Sequence, residues 1–379
     1  MANLDRESPV PLYHQLEQAL LELIRLRGLA PGALFPSEHE LAAEFGVARL
    51  TVRRAVERLA GQGVLRRERG LGTFVADPAR ATPRSAAGTL TFLLPGMTSI
   101  VHLRTLAGAE EEARAHGFQL VVAHADRDPA LEARHLTAAL SSGTAGLLLW
   151  PLGGETDRAP LNRLSAAGVP YVLVDRYLEE RADDHVVVDD VAGAYAATAH
   201  LAELGHRRIA LALFEDTDVS AVRLRREGYR RALADHGLVA DPTLEVRVPA
   251  RTEGAVLTAM APLAEHLVGL SPAPTAAFCV NDHLAEALLV VLERQGVAVP
   301  DHFSVAGFDG LAYMPTRLRL TTVHRPTAGM GREAVRLLVS RLHGGSDAPP
   351  QRVVLPVELV VGETTAAAPA PLPQTLAAS

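Results

Sequence analysis

Apolar positions recur in two distinct rhythms along this chain, and the change between them divides it. Over residues 35–75 the rhythm is that of short helices followed by a hairpin. Ser37 and Glu40, three residues apart, make a capping-box pattern just before Leu41 and Phe45, which fall at helical spacing on an inward face. Gly46 ends that helix. The spacing predicts a second helix over 49–62, with Val52, Ala55, Val56 and Leu59 on one stripe. Gly61 and Gly63 stop it, and 64–67 and 73–75 read as strands around the tip Gly70-Leu71-Gly72. Helix, tight turn, helix and glycine-tipped hairpin predict an α+β winged helix-turn-helix head over 1–76.

Residues 77–88 are small, proline-punctuated and without apolar period, the composition of a linker. From Thr89 short apolar runs at 90–94, 119–123, 146–150, 171–175, 208–213, 276–280 and 303–308 alternate with helical periods at 103–116, 131–140, 195–204 and 284–295. That alternation predicts α/β architecture, parallel sheets with helices on both faces. The stretch 89–363 is large for one core, so two lobes with a cleft are expected. The expected division is 89–188 with 326–350 in the first lobe and 189–325 with 351–363 in the second. The Ala/Pro-rich tail 364–379 has no heptad and is expected to be disordered, without a tetramerising helix.

Charge sharpens the reading of the head. Over 46–70 there are seven arginines against two glutamates, a local net charge of +5 in a chain whose overall charge is −7. Arg49, Thr51, Arg53, Arg54 and Arg58 lie off the apolar stripe of the second helix. With that helix in a major groove, their guanidinium forks suit guanine edges and phosphates, and Gly70 and Gly72 keep the wing slim enough to approach a backbone. A merely solvated helix face is the plainer alternative, and the capped helix, tight turn and hairpin together outweigh it. Gly70-Leu71-Gly72 is no dinucleotide fingerprint, because strand and not helix follows it.

Other function classes are excluded by composition. All 37 basic residues are arginine. A phosphate-binding loop and a pyridoxal-phosphate Schiff base both need a lysine, so neither is present. The one cysteine, Cys279, sits in an apolar run and reads as a buried thiol. The 15 histidines form no H-E-x-x-H motif, and no G-x-S-x-G elbow occurs. No enzyme, catalytic residue, metal or cofactor is therefore expected. No apolar run approaches the ~20 residues of a membrane span, and no signal-peptide layout opens the chain, so a cytoplasmic protein without membrane contact is expected.

In open parallel sheets ligands bind beyond the carboxyl ends of the strands. Trp150, Asp175 with Arg176, Asn281 with Asp282, and Asp309 all follow predicted strands. Carboxylates, an amide, arginine forks and an aromatic face are the mixture that a polyhydroxylated ligand needs. Strand-end Asp and Asn also cap turns, and Trp150 also suits a core, so each residue alone leaves both readings open.

The motifs carry two resemblances. PSEHEL at 36–41, VARLTVR at 47–53 and GLGTFV at 70–75 resemble the signatures of the gluconate-repressor (GntR) family of DNA-binding heads. The resemblance implies that Ser37, His39, Arg49, Thr51, Arg53, Arg54, Gly70 and Gly72 form the DNA-contacting surface. His39 stands where the family often has arginine, and Ala48 where it has a capping Ser or Thr. VPYVLVDR at 169–176, LGHRRIAL at 204–211, RREGYRRAL at 225–233, the Asn281-Asp282 pair, VAVPDHFSVAGFDG at 297–310 and LTTVHRP at 320–326 resemble the effector domain of the lactose and galactose repressor family, itself similar to periplasmic sugar-binding proteins. That resemblance implies ligand contacts at Asp175, Arg225, Asn281 and Asp309, with Trp150 and Arg176 beside them. Arg325 replaces the family's frequent glutamine; it suits either an acidic sugar or a salt bridge at a lobe crossing.

The combination resembles the arabinose-repressor type of regulator. It implies a homodimer on a pseudo-palindromic double-stranded operator, controlled by a small sugar-like effector, with a neutral pentose or hexose as the leading expectation. An activator of the same architecture and a transport-type sugar-binding protein remain as alternatives; the second needs export and has no use for the head.

Overall fold

The computed structural model describes residues 12–61, 64–68, 72–75, 88–154, 156–179, 181–215, 219–249, 253–312, 316–344 and 348–369. It falls into two compact units, divided between Ser85 and Ala86.

In the first unit, α1 (Leu12–Leu26), β1 (Leu34–Phe35), α2 (Glu38–Phe45), α3 (Arg49–Gly61), β2 (Leu65–Glu68) and β3 (Gly72–Val75) follow in order. Both halves of the capping box form: the Glu40 amide donates to Ser37 Oγ at 3.3 Å and the Ser37 amide to Glu40 Oε2 at 2.8 Å. Gly46 closes α2 in the left-handed region at φ 62°, which costs glycine no Cβ clash. The apolar stripe of α3 meets Leu16, Leu20, Phe35 and Leu41 in a separate core. β3 pairs antiparallel with both β2 and β1, so the wing is a three-stranded sheet of order β1-β3-β2. Gly70 and the linker 77–87 lie outside the described residues.

The second unit has two six-stranded sheets. The first lobe contains β4 (Thr89–Leu94), α4 (Ile100–Ala115), β5 (Gln119–His124), α5 (Pro129–Ser141), β6 (Gly146–Leu149), α6 (Arg158–Ala166), β7 (Tyr171–Val174) and β8 (His185–Val188). The second contains α7 (Asp190–Glu203), β9 (Ile209–Phe214), α8 (Ser220–Asp235), β10 (Glu245–Val248), α9 (Glu253–Gly269), β11 (Ala276–Cys279), α10 (Asp282–Arg294), β12 (Ser304–Asp309) and β13 (Thr321–His324). The chain then returns through α11 (Thr327–Gly344) and ends with β14 (Arg352–Leu355) and β15 (Glu358–Val360). Strand orders are β14-β8-β7-β6-β4-β5 and β10-β9-β11-β12-β13-β15, and β15 alone runs antiparallel to its neighbour. The central strands β6, β7, β11 and β12 are buried at every position, as sheets covered on both faces require. Cys279 is fully buried in this core, and burial pushes its thiol well above the usual range.

Helix α11 belongs to the first lobe, against α4, where two glycines set the approach. A Cβ on Gly108 would come within 2.0 Å of the Ala328 carbonyl oxygen, and one on Gly331 within 2.0 Å of that of Thr105. Two sequence expectations need correction. Strand β14 pairs with β8 in the first-lobe sheet, in register from Arg352 opposite His185 to Leu355 opposite Val188, so the last crossing falls at Pro356-Val357 and not near 350. The beginning of the tail is also ordered: Thr364 is fully buried, its hydroxyl donates to the Val305 carbonyl at 2.6 Å, and the Ala368 amide donates to the Leu204 carbonyl at 2.8 Å. Hydrogen bonds to β12 and to the end of α7 hold what composition alone assigned to disorder. Residues 370–379 lie outside the described residues.

Candidate functional site

The head presents Arg49 and Arg53 to solvent. Arg49 begins α3, and Arg53 lies one turn on, with side chains 66% and 50% exposed. Glu38, the first residue of α2, reaches both: its Oε2 is 3.5 Å from Arg49 Nε and 3.3 Å from Arg53 Nε. The tight turn at Gly46 brings the start of α2 against the start of α3, so one carboxylate orients two guanidiniums. Thr51 is half-buried, and His39 and Ser37 are exposed, Ser37 being engaged as the α2 cap. Gly72 adopts φ 126°, and a Cβ there would meet Leu34 Cδ1 at 3.1 Å, so the wing's return strand needs glycine. Arg54 lies in α3, and its side chain falls outside the described residues. Sequence reasoning missed Glu38; its signal was an acid at the start of the capped helix, one turn-and-helix away from a row of arginines.

In the second unit the carboxyl ends of β7, β12 and β13 converge on a buried ionic chain. Asp175 follows β7, Asp309 ends β12, and Arg325 follows β13; their side chains are 5%, 5% and 3% exposed. Arg325 forms an ion pair with Asp175 and places its other terminal nitrogen 3.5 Å from Asp309 Oδ1. Arg225, on α8, continues the chain. Its Nε donates to Asp190 Oδ1 at 2.7 Å, its Nη1 donates to the Val280 carbonyl at 2.6 Å and lies 4.0 Å from Asp309 Oδ1, and its guanidinium stacks 3.8 Å over the Phe308 ring. Asp175 and Asp309 have φ of 67° and 131°. Non-glycine residues persist there only where their surroundings over-determine them, a strain concentrated at ligand clamps and switches.

The electrostatics follow from burial opposed by pairing. Burial raises the Asp175 carboxyl, but the charges of Arg325, Arg176 and Arg225 more than offset it and leave it below its ordinary value. For Asp190 the balance reverses: burial outweighs Arg225, and the carboxyl is pushed up to about 6. Burial works against the Arg325 charge, and Asp175, Asp309 and Asp190 together hold it above the ordinary guanidinium value.

Arg176 donates to the carbonyls of Pro151 and Leu152 at 3.1 and 3.4 Å, which ties it to the segment that carries Trp150. Trp150 is buried, packed edge-on against His102 with centroids 4.6 Å apart, and its indole N–H has no hydrogen-bond partner among the described residues. His102 donates from Nδ1 to the Gly96 carbonyl at 2.9 Å; burial, with the Arg176 charge, lowers it to about 3, so it is a neutral imidazole. Asn281 caps α10, its Oδ1 accepting from the Leu284 amide at 2.9 Å, which leaves its amide nitrogen as the group available to a ligand. Asp282 turns away from this role: Oδ1 accepts from the Thr322 hydroxyl at 2.5 Å and Oδ2 from the Leu311 amide at 2.8 Å. The structure thus joins Asp175, Arg176, Arg225, Asp309 and Arg325. It adds Asp190, His102 and Phe308, which sequence reasoning missed. Asp190 opens α7 just after β8, and its partner Arg225 lies 35 residues away.

Comparison with known proteins agrees with both halves. Residues 12–75 match the model of bacterial regulatory proteins of the gntR family, and residues 198–365 that of a periplasmic binding protein-like domain. The arabinose metabolism transcriptional repressor of Geobacillus stearothermophilus is 32% identical over 95% of this chain and 99% of its own length. The HTH-type transcriptional regulator MalR of Streptomyces coelicolor is 30% identical over 87% of this chain and 96% of its own. A LacI family transcriptional regulator from Enterococcus faecium with bound ribose superposes with a TM-score of 0.64 at 26% identity, covering 74% of this chain and 99% of that one. The transcriptional regulator CelR in complex with cellobiose gives 0.62 at 28%, covering 87% and 100%. Head, two-lobed domain and full-length similarity together place the chain in the family of gntR-headed transcriptional repressors to which the Geobacillus arabinose metabolism repressor belongs.

Proposed function

We propose that this repressor binds a pseudo-palindromic operator as a homodimer in the cytoplasm and is released or tightened on DNA by an uncharged pentose or hexose held between its lobes. Its working division is a head over 1–76, a linker over 77–88 and an effector and dimerisation domain from 89 onward. The observation that carries the reading is the ionic chain from Asp190 through Arg225, Asp309 and Arg325 to Asp175, which meets at strand ends of both lobes. With Arg176 it contains three carboxylates and three guanidiniums, Asp175, Asp190 and Asp309 against Arg176, Arg225 and Arg325. A charge-balanced site suits a neutral ligand whose hydroxyls share these groups, and a charged one would leave a buried charge unpaired. The ribose and cellobiose in the neighbouring structures are ligands of that class. Asn281 and the indole N–H of Trp150 supply further donors. On the head, Arg49 and Arg53 read the operator, with Thr51, Arg54, His39 and the wing glycines Gly70 and Gly72 at the backbone. The protein turns over no ligand.

The test is a thermal-shift screen of neutral pentoses and hexoses, sugar acids, sugar phosphates and nucleosides. Each hit is repeated with Asp175→Ala and Arg225→Ala and read against each variant's own baseline. A neutral sugar at 100 times its Kd should stabilise the wild type by about 2.7 kcal/mol and neither variant. Hits confined to charged ligands, or surviving both substitutions, overturn the assignment.

A further inference from the structure

Arg325 occupies the point where the chain leaves β13 of the second lobe for α11 of the first. From there its guanidinium reaches one carboxylate in each lobe, Asp175 at the end of β7 and Asp309 at the end of β12. Both aspartates sit at positive φ, backbone strain of the kind concentrated at ligand clamps and switches. The guanidinium is almost wholly buried, and its remaining contact is the Met330 sulfur at 3.7 Å, at the start of α11. Its Nε has no hydrogen-bond partner among the described residues. The arrangement differs from that of Arg225, whose Nε, Nη1 and aromatic contacts all lie within the second lobe.

We propose that Arg325 is a positioning residue, a built-in counter-ion that fastens the two lobes to each other across the cleft before any effector arrives. Two buried carboxylates facing one another across a closing gap repel, and in a poorly solvated site that repulsion is weakly screened. Arg325 converts it into attraction, because one planar fork serves carboxylates on both sides. An effector then adds its hydroxyls to an arrangement already drawn together and does not have to supply the cohesion itself. The site described above is the same one, so the functional meaning of the latch rests on the effector reading, but its existence does not.

The test therefore uses the full chain without ligand. The variants are Arg325→Gln, Asp175→Asn and the double substitution, each measured by thermal midpoint and by acrylamide quenching of Trp150. Trp150 is the sole tryptophan and stands on the first-lobe side of the cleft, so its quenching reports opening. Arg325→Gln should lower the midpoint of the two-lobed unit by roughly 6–12 °C, as expected for stranding buried charge, and expose Trp150 to quencher. The double substitution removes one of the stranded carboxylates and should recover more than half of both effects. Additive losses in the double variant, or unchanged quenching in Arg325→Gln, overturn the proposal, because a residue that only filled space would show no such rescue. If Arg325→Gln does not fold, a folded double variant supports the latch and an unfolded one overturns it. Failure of every sugar to bind would overturn the effector reading and leave this cycle to judge the latch.

Discussion

The head and the interlobe cleft use the same pairing, arginine against carboxylate, in opposite surroundings. In the head, Glu38 lies 3.5 and 3.3 Å from Arg49 and Arg53, whose side chains are more than half or half exposed. In the cleft, the Arg225 and Arg325 side chains are 6% and 3% exposed and their carboxylates no more than 5%. Water screens the first kind, which contributes about 0–1 kcal/mol. The second kind has given up hydration, so removing one partner costs about 3–5 kcal/mol. An arginine of the head can therefore exchange its carboxylate for a phosphate or a base edge at little cost. An arginine of the cleft cannot move without its whole network, which suits it to hold one arrangement or another and nothing between.

The sharpest way to break this contrast is Arg225→Ala. It strands Asp190 and removes the Asp309 contact, and chemical denaturation of the two-lobed unit should register a loss of about 3–5 kcal/mol. A loss below about 1 kcal/mol would place the cleft in the same class as the surface. The pH response should also separate the regions. Asp190 has a raised carboxyl, so between about pH 4 and 6 its native form holds a proton that the unfolded chain has already released. Stability from this group is full below the unfolded value near 4 and is lost as pH rises through about 6. Midpoints between pH 4 and 7 should fall by the equivalent of about 2–3 kcal/mol from this group, and Asp190→Asn should remove that slope. Glu40 in the head runs the other way: its hydrogen bonds with Ser37 hold it below its ordinary value, so its contribution is present at neutral pH and lost on acidification.

A smaller effect is expected from Arg53→Ala. Operator affinity measured by fluorescence anisotropy should fall by about 1–3 kcal/mol if the fork reads a base, while the unfolding free energy of the head stays within about 0.5 kcal/mol of wild type. A matching loss of stability would make Arg53 a structural residue. The smallest is Ser37→Ala, which removes one half of the capping box and should destabilise the head by about 1 kcal/mol.

What could be read in advance followed the range of the interactions. The capping box of Ser37 and Glu40 and the glycine stop at Gly46 are local, and they formed as the spacing required. The central strands were legible because burial on both faces leaves uninterrupted apolar runs, as in β7 and β11. Strands β10, β14 and β15 were not, because each stands at a sheet edge and mixes charged with apolar positions. Helix α9 carries Pro262 in its interior, and α11 carries Gly329 and Gly331, so neither looked like a helix from propensity. Their packing partners, not their own residues, decide their state. The crossing at Pro356-Val357 was misplaced for the same reason: 352–360 shows no local break between lobes, and only pairing with β8 on one side and β13 on the other splits it.

For the site, the sequence by itself determined which residues stand at strand ends and helix starts, since those positions follow from periodicity within ten or so neighbours. It therefore pointed to Asp175 and Asp309, whereas Arg225 and Arg325 were named through the resemblance to the lactose and galactose repressor family. Only the tertiary structure decided who pairs with whom: Arg325 with Asp175 across 150 residues, Arg225 with Asp190 across 35, and Glu38 with Arg53 across 15. Periodicity fixes the direction of a side chain relative to its own element. The partner it meets, and whether water is present to screen the meeting, depends on how separate elements pack, and no local pattern carries that information.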